Sequence, residues 1–196
     1  MVAPALVDEF AAMGDVKVSA APVTSNIMFG MIMAAPQHGI VLVSPAATNP
    51  AISTYDDWSF RVQPGDDYQG GAIARFFAQQ MGIRTAAVLV NDRYGYGVSI
   101  YESFRDEFQK RGGRIVDVEH FEWNLDDGSD YDFGEIIDRM WRSDPELVLL
   151  SGYAKEAVPF IRQAHDKGWH PKYCGGASGL TPQGLECAGD GQADSY

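Results

Sequence analysis

The sequence predicts an α/β protein in which parallel strands alternate with flanking helices. Short apolar runs such as Ile40-Val41-Leu42-Val43 and Ala86-Ala87-Val88-Leu89-Val90 read as buried strands. Stretches with apolar residues at helical spacing separate these runs. Connections between them are short, which suits helical crossovers and parallel pairing.

A first helix is expected from Pro4 to Met13, with Ala5, Leu6, Phe10 and Met13 on its apolar side. A strand at Val16 follows, then a helix from Asn26 to Gln37 and a strand over Ile40 to Val43. Trp58 to Val62 reads as a third short strand. Pro64-Gly65-Asp66-Asp67 marks a break, so a domain boundary is placed there, with residues 1–63 on one side and 64–196 on the other. Asp66 or Asp67 can cap a helix carrying Ile73, Phe76, Phe77 and Met81. Strand Ala86 to Val90 is followed by a helix from Val98 to Arg111, with Ile100, Phe104 and Phe108 at steps of four and a stop at Gly112-Gly113. The alternation continues with strand Arg114 to Val118, helix Asp132 to Arg142 and strand Glu146 to Leu150. A helix opening near Ser151 to Tyr153 carries Ala157, Phe160, Ile161 and Ala164, and strand Tyr173-Cys174 closes the series.

The 196 residues are 45% hydrophobic and 21% charged, enough for one large domain or two small ones. With 27 acidic against 15 basic residues, the net charge of -12 argues against nucleic acid and anionic membrane surfaces. No apolar run is long enough to span a bilayer, and Met1-Val2-Ala3-Pro4-Ala5 lacks the features of a secretion signal. Cys174 and Cys187 suit either one bridge or two separate thiols.

Two loops carry the functional signal. Ala21-Pro22-Val23-Thr24-Ser25-Asn26 follows one strand, and Ser44-Pro45-Ala46-Ala47-Thr48-Asn49-Pro50 follows another. Both place hydroxyls and backbone N–H groups at the carboxyl end of a strand, where open α/β sheets bind ligands. The first also opens a helix, so Thr24 or Ser25 can cap it while its N-terminal N–H groups face an anion. Small side chains let a ligand reach the backbone. The loops therefore read as a site for a small carboxylate, with no chemistry and no cofactor required.

In order and spacing, these loops resemble the type I periplasmic solute-binding proteins, in particular the branch that binds leucine, isoleucine and valine for ABC transporters. The resemblance also takes in Phe60-Arg61, Asp66, Gln69-Gly70, Asn91-Asp92, Tyr96-Gly97 and Ser151-Gly152-Tyr153. It implies two α/β lobes with Rossmann-like parallel sheets, closing by a hinge on a ligand held between them. Members of that family are longer, so the chain is expected to be a truncated, interior piece, with residues 1–63 part of lobe one and 64–196 lobe two. A periplasmic or extracellular location and an ABC permease partner follow from the same resemblance.

The resemblance also assigns roles. Ser25 matches the position whose hydroxyl and N–H hold the ligand carboxylate, alongside a plain capping role. Ala46 and Thr48 match positions binding the head group through backbone and hydroxyl, where the bland alternative is a turn set by Pro45 and Pro50. Tyr96 and Tyr153 match two aromatic walls, although Tyr94-Gly95-Tyr96-Gly97 is also simply turn-like. Where many relatives have Gly, this chain has Ala21. Leucine-type binders carry a carboxylate at the place of Ala177, to pair the ligand ammonium. Alanine cannot, and an unpaired buried ammonium is costly. Either Asp66 substitutes, in competition with its capping role, or the ligand has no amine.

Other motifs are weaker. Gly95-Tyr96-Gly97 imitates a dinucleotide fingerprint, but Ile100 stands where the third glycine belongs. The run Asp126 to Asp132 does not follow the alternation of a calcium loop, and Asp130 or Asp132 suits the cap of the next helix. His38, His120, His165 and His170 lack metal-ligand spacing, and no nucleophile elbow occurs. The expected function is therefore capture of an amino acid or related small carboxylate for an ABC importer, without catalysis or metal. A ligand-sensing domain of the same architecture is the alternative, and a nucleotide-dependent α/β enzyme stands third.

Overall fold

The computed structural model describes residues 3–20, 22–55, 58–125 and 128–179. Ala21, Asp126, Asp127 and Cys187 lie outside the described residues. The apolar runs assemble into two separate parallel sheets, and the chain divides into two compact units, 1–66 and 67–196. The division falls after Asp66 rather than after Gln63, at the first residue of a helix.

In the first unit, helix α1 spans Ala3–Ala12 and α2 spans Ser25–Ile32. Strands β1 (Val18–Ser19), β2 (Val41–Ser44) and β3 (Ser59–Arg61) lie in the order β1-β2-β3, all parallel. Short 3₁₀ turns at Ala35–His38 and Pro50–Thr54 complete the unit. The core gathers Val7, Met28, Met31, Ile40, Leu42 and Ile52, all fully buried.

In the second unit the elements are α3 (Asp66–Arg75, beginning at the boundary), β4 (Thr85–Asn91), α4 (Gly95–Lys110), β5 (Arg114–Phe121), α5 (Gly134–Arg142), β6 (Leu147–Ser151), α6 (Ala154–Asp166) and β7 (Lys172–Gly175). The sheet order is β5-β4-β6-β7, again all parallel. Pleating sends Val88, Val90, Leu147 and Leu149 to one face with Ile100, Phe104 and Phe108. Ala87, Leu89, Val148 and Leu150 go to the other with Phe133, Ile137, Met140 and Phe160. A strand covered on both faces needs apolar residues at every position, hence the unbroken runs. Each fully buried phenylalanine contributes about 1.5–3 kcal/mol.

Three expectations are corrected. The core face of α1 is Ala3, Val7, Phe10 and Ala11, while Met13 is 64% exposed. Helix α2 ends at Ile32 rather than Gln37, because Pro36 lacks an N–H and opens the following 3₁₀ turn. After α3 the helix widens into a π turn at Phe76–Gln80. Ala74 and Ala78 are buried, Ile73 and Phe77 pack half-buried against the core, and Phe76 and Met81 are exposed.

Helices α3 and α4 meet at Gly70, where a Cβ would lie 2.7 Å from the Ile100 carbonyl oxygen and 2.8 Å from the Phe104 nitrogen. Both atoms are backbone and cannot swing away. Gly70→Ala is expected to destabilise the chain by about 1–3 kcal/mol, read as a lower urea midpoint.

Candidate functional site

In the first unit the site grows from the end of β2. Ser44 is fully buried, and its hydroxyl donates to the Pro22 carbonyl in the loop after β1. The same oxygen accepts the N–H groups of Ala47 at 2.8 Å and Ala46 at 3.4 Å. One side chain thus ties the two small-residue loops together. Ser25 makes a second tie, accepting the Asn49 N–H at 3.2 Å.

Capping falls to Thr24, whose hydroxyl accepts the Ile27 N–H at 3.4 Å. Ser25 is the first residue of α2 and is buried. As an acceptor from Asn49, its hydroxyl still carries a proton to donate. Thr48 is buried, and its carbonyl accepts the Arg61 guanidinium at 2.7 Å and the Asp66 N–H at 2.9 Å. Ser25, Ala46 and Thr48 therefore belong to one hydrogen-bonded loop pair at the strand ends. With the positive end of α2 beside them, the pair suits an anion. Asp66 is fully buried at the first turn of α3.

The second unit gathers aromatic rings at the corresponding end of its sheet. Tyr153, half-buried before α6, lies 5.5 Å edge-on from Tyr94 and 5.2 Å from Tyr96 between ring centroids. Tyr96 is only 4% exposed, and its hydroxyl accepts the Ser178 N–H at 3.2 Å. It backs Tyr153 rather than facing solvent. Tyr94, which the sequence reading passed over, is half-buried and accepts the Leu125 N–H at 3.0 Å. Ala177 is exposed on the loop after β7, and its N–H donates to the Gln69 side-chain oxygen at 3.3 Å.

Three further residues were missed. Asn91 and Ser151, both buried, end β4 and β6 as Ser44 ends β2. Asn91 donates to the Trp123 carbonyl at 2.8 Å and accepts the Arg93 N–H at 3.1 Å, while Ser151 donates to the Gly97 carbonyl at 2.6 Å. Their signal was present as Val41-Leu42-Val43-Ser44, Val88-Leu89-Val90-Asn91 and Val148-Leu149-Leu150-Ser151, each an apolar run closed by one small polar residue. The third is Glu156, 3% exposed, whose carboxylate accepts the Tyr153 N–H. It borders a small cavity with Asn91, Ser151 and Gly152 on one side and Leu89, Phe121, Leu150 and Ala157 on the other. Burial pushes the Glu156 carboxyl above its ordinary value, while the Tyr153 N–H and the Asn91 side chain pull the other way. Burial likewise pushes the Cys174 thiol up, which leaves it a poor nucleophile at neutral pH.

The first unit thus carries a hydrogen-bonded pair of small-residue loops at its strand ends, and the second carries a cluster of tyrosines at its own, on an α/β fold of parallel sheets. The chain belongs to the periplasmic binding protein family, whose sequence model matches residues 2–196. It is 28% identical over 141 residues to a Leu/Ile/Val-binding protein homolog of Brucella melitensis, covering 71% of this chain and 37% of that protein. Against an amino acid binding protein of Pseudomonas aeruginosa the identity is 26% over 157 residues, with 80% and 40% covered. The chain thus spans well under half the length of these relatives. A leucine binding protein from Thermotoga maritima superimposes with a TM-score of 0.84 at 23% identity, covering 96% of this chain and 52% of that one. An R. palustris solute binding protein of an ABC transporter, in complex with 4-hydroxybenzoate, gives 0.85 at 20% identity, covering 96% and 50%. At such identities the likeness is one of fold, that of the type I periplasmic binding proteins.

Two outcomes follow from the buried ties. Ser44→Ala leaves buried loop groups without their partner and is expected to cost about 1–3 kcal/mol of unfolding free energy, measured in urea. Glu156 holds its proton to higher pH when folded than when unfolded, so between those two values the folded state binds more protons. Relative to Glu156→Gln, the stability of the unsubstituted chain is therefore expected to fall as pH rises above about 4, the ordinary carboxylate value. Urea midpoints of both proteins across an acid-to-neutral series check the sign; a rising difference contradicts it.

Proposed function

We propose that the chain is the ligand-binding part of a solute-binding protein serving an ABC importer, acting outside the cytoplasm and without catalysis, and that its ligand is a small carboxylate lacking an amine. The loop pair joined by Ser44 and Ser25 carries the first part of this reading: it concentrates donors and the positive end of α2, which is what a carboxylate needs. The tyrosines of the second unit supply aromatic surface for the rest of the ligand.

The absence of an amine rests on Ala177. Alanine at 177 supplies no carboxylate to pair a ligand ammonium, and its N–H is engaged by the Gln69 side-chain oxygen. Relatives named for leucine, isoleucine and valine and a fold neighbour holding 4-hydroxybenzoate bracket the choice between amine-bearing and amine-free acids.

Calorimetry with leucine, its 2-oxo analogue and 4-hydroxybenzoate separates the two. One of the amine-free acids is expected to bind more tightly than leucine. Tighter leucine binding that disappears in Asp66→Asn would overturn this preference and assign the ammonium to Asp66. With the bound acid as probe, Ser25→Ala and Thr48→Ala are each expected to weaken binding by about 1–3 kcal/mol, the cost of losing a hydrogen bond to a charged group. Unchanged affinity in both variants removes these loops from the site.

A further inference from the structure

Glu156 is the one acidic side chain of the second unit that the described residues bury almost completely, at 3% exposure. It sits three residues into the turn that Tyr153 opens, and the two residues bond reciprocally. The Glu156 carboxylate accepts the Tyr153 N–H, and the Glu156 N–H donates to the Tyr153 carbonyl at 3.0 Å. This is half of a capping box: the Glu156 side chain meets the Tyr153 N–H, while the return bond is an ordinary backbone one. The Tyr153 side chain makes no cap hydrogen bond, and the Glu156 carboxylate caps the turn instead.

The carboxylate also has a fitted place. A Cβ at Gly152 would collide with it, so glycine is what lets the group lie against the strand end. From there a closed path of contacts runs through the aromatic wall. Ala154, next to Tyr153, donates its N–H to the Ser178 carbonyl at 2.8 Å. Ser178 donates its own N–H to the Tyr96 hydroxyl at 3.2 Å, and the Tyr96 ring returns to Tyr153 at 5.2 Å. The turn secured by Glu156 thus sets the Tyr153 ring and also one anchor of the loop bearing Ala177.

We infer that Glu156 is a positioning residue, which sets the Tyr153 ring and the Ala177 loop for ligand binding without touching the ligand itself. The ligand part of this inference rests on the function proposed above; the positioning part does not. A buried acid at this turn is otherwise an expensive choice, since a carboxylate loses its hydration there. Glutamine keeps the accepting oxygen and the length, alanine removes both, and aspartate withdraws the oxygen by one methylene.

The test compares Glu156→Gln, Glu156→Asp and Glu156→Ala with the unsubstituted full chain. Ring-to-ring NOEs between Tyr153 and Tyr96, recorded without ligand, read the positioning directly. They are expected to persist in Glu156→Gln and to be lost in Glu156→Ala, with Glu156→Asp deciding in its place should the alanine variant fail to fold. Titration with 4-hydroxybenzoate and leucine as probes reads the consequence: an affinity loss of about tenfold in the alanine or aspartate variant, the order of one lost aromatic contact, and rescue in glutamine. NOEs that survive in the folded alanine or aspartate variant overturn the inference, as does their loss in Glu156→Gln. Failure of both probes to bind the unsubstituted chain counts against the proposed function, while the ligand-free NOEs still decide the positioning.

Discussion

The structure depends on a small polar side chain buried at the carboxyl end of each inner strand. A hydroxyl or amide placed there loses its water and must find partners in the protein, at a cost of about 1–3 kcal/mol if it does not. Ser44, Asn91 and Ser151 find them in the loops that follow neighbouring elements. The satisfaction of each buried group is therefore also the placement of a loop. Parallel strands make this possible because all their carboxyl ends lie along one edge of the sheet.

The two units use this device differently. In the first, Ser44 and Ser25 tie together two loops of mostly small residues, taking up the N–H groups of Ala46, Ala47 and Asn49. In the second, Asn91 and Ser151 secure the turn bearing Tyr94 and Tyr96 and Glu156 secures that of Tyr153, so the edge becomes an aromatic surface. A chain of net charge -12 can still favour an anion, because donors at 3 to 4 Å and a helix N-terminus outweigh screened surface charge further away. The acids near these turns are directed elsewhere: Glu156 holds a backbone N–H, and Asp132 accepts the Gly134 N–H at the start of α5.

The sequence by itself determined the order of elements, the parallel class and the division near Pro64, because each rests on local pattern. Short, β-branched apolar runs such as Val88-Leu89-Val90 suit strands covered on both faces, and the pairing of Ser44-Pro45-Ala46-Ala47-Thr48 with a strand end is a matter of adjacency along the chain. One of the local errors was itself legible, since Pro36 announces the end of α2. The tertiary structure alone decided what depends on residues far apart in the chain. Thr24 rather than Ser25 became the cap because Asn49 engages Ser25. Tyr96 lies buried behind Tyr153 with its hydroxyl engaged by Ser178, and Glu156 lies buried where Gly152 leaves it room. A side chain's job is set by which distant groups need its hydrogen bonds, and neither periodicity nor spacing along the chain encodes that.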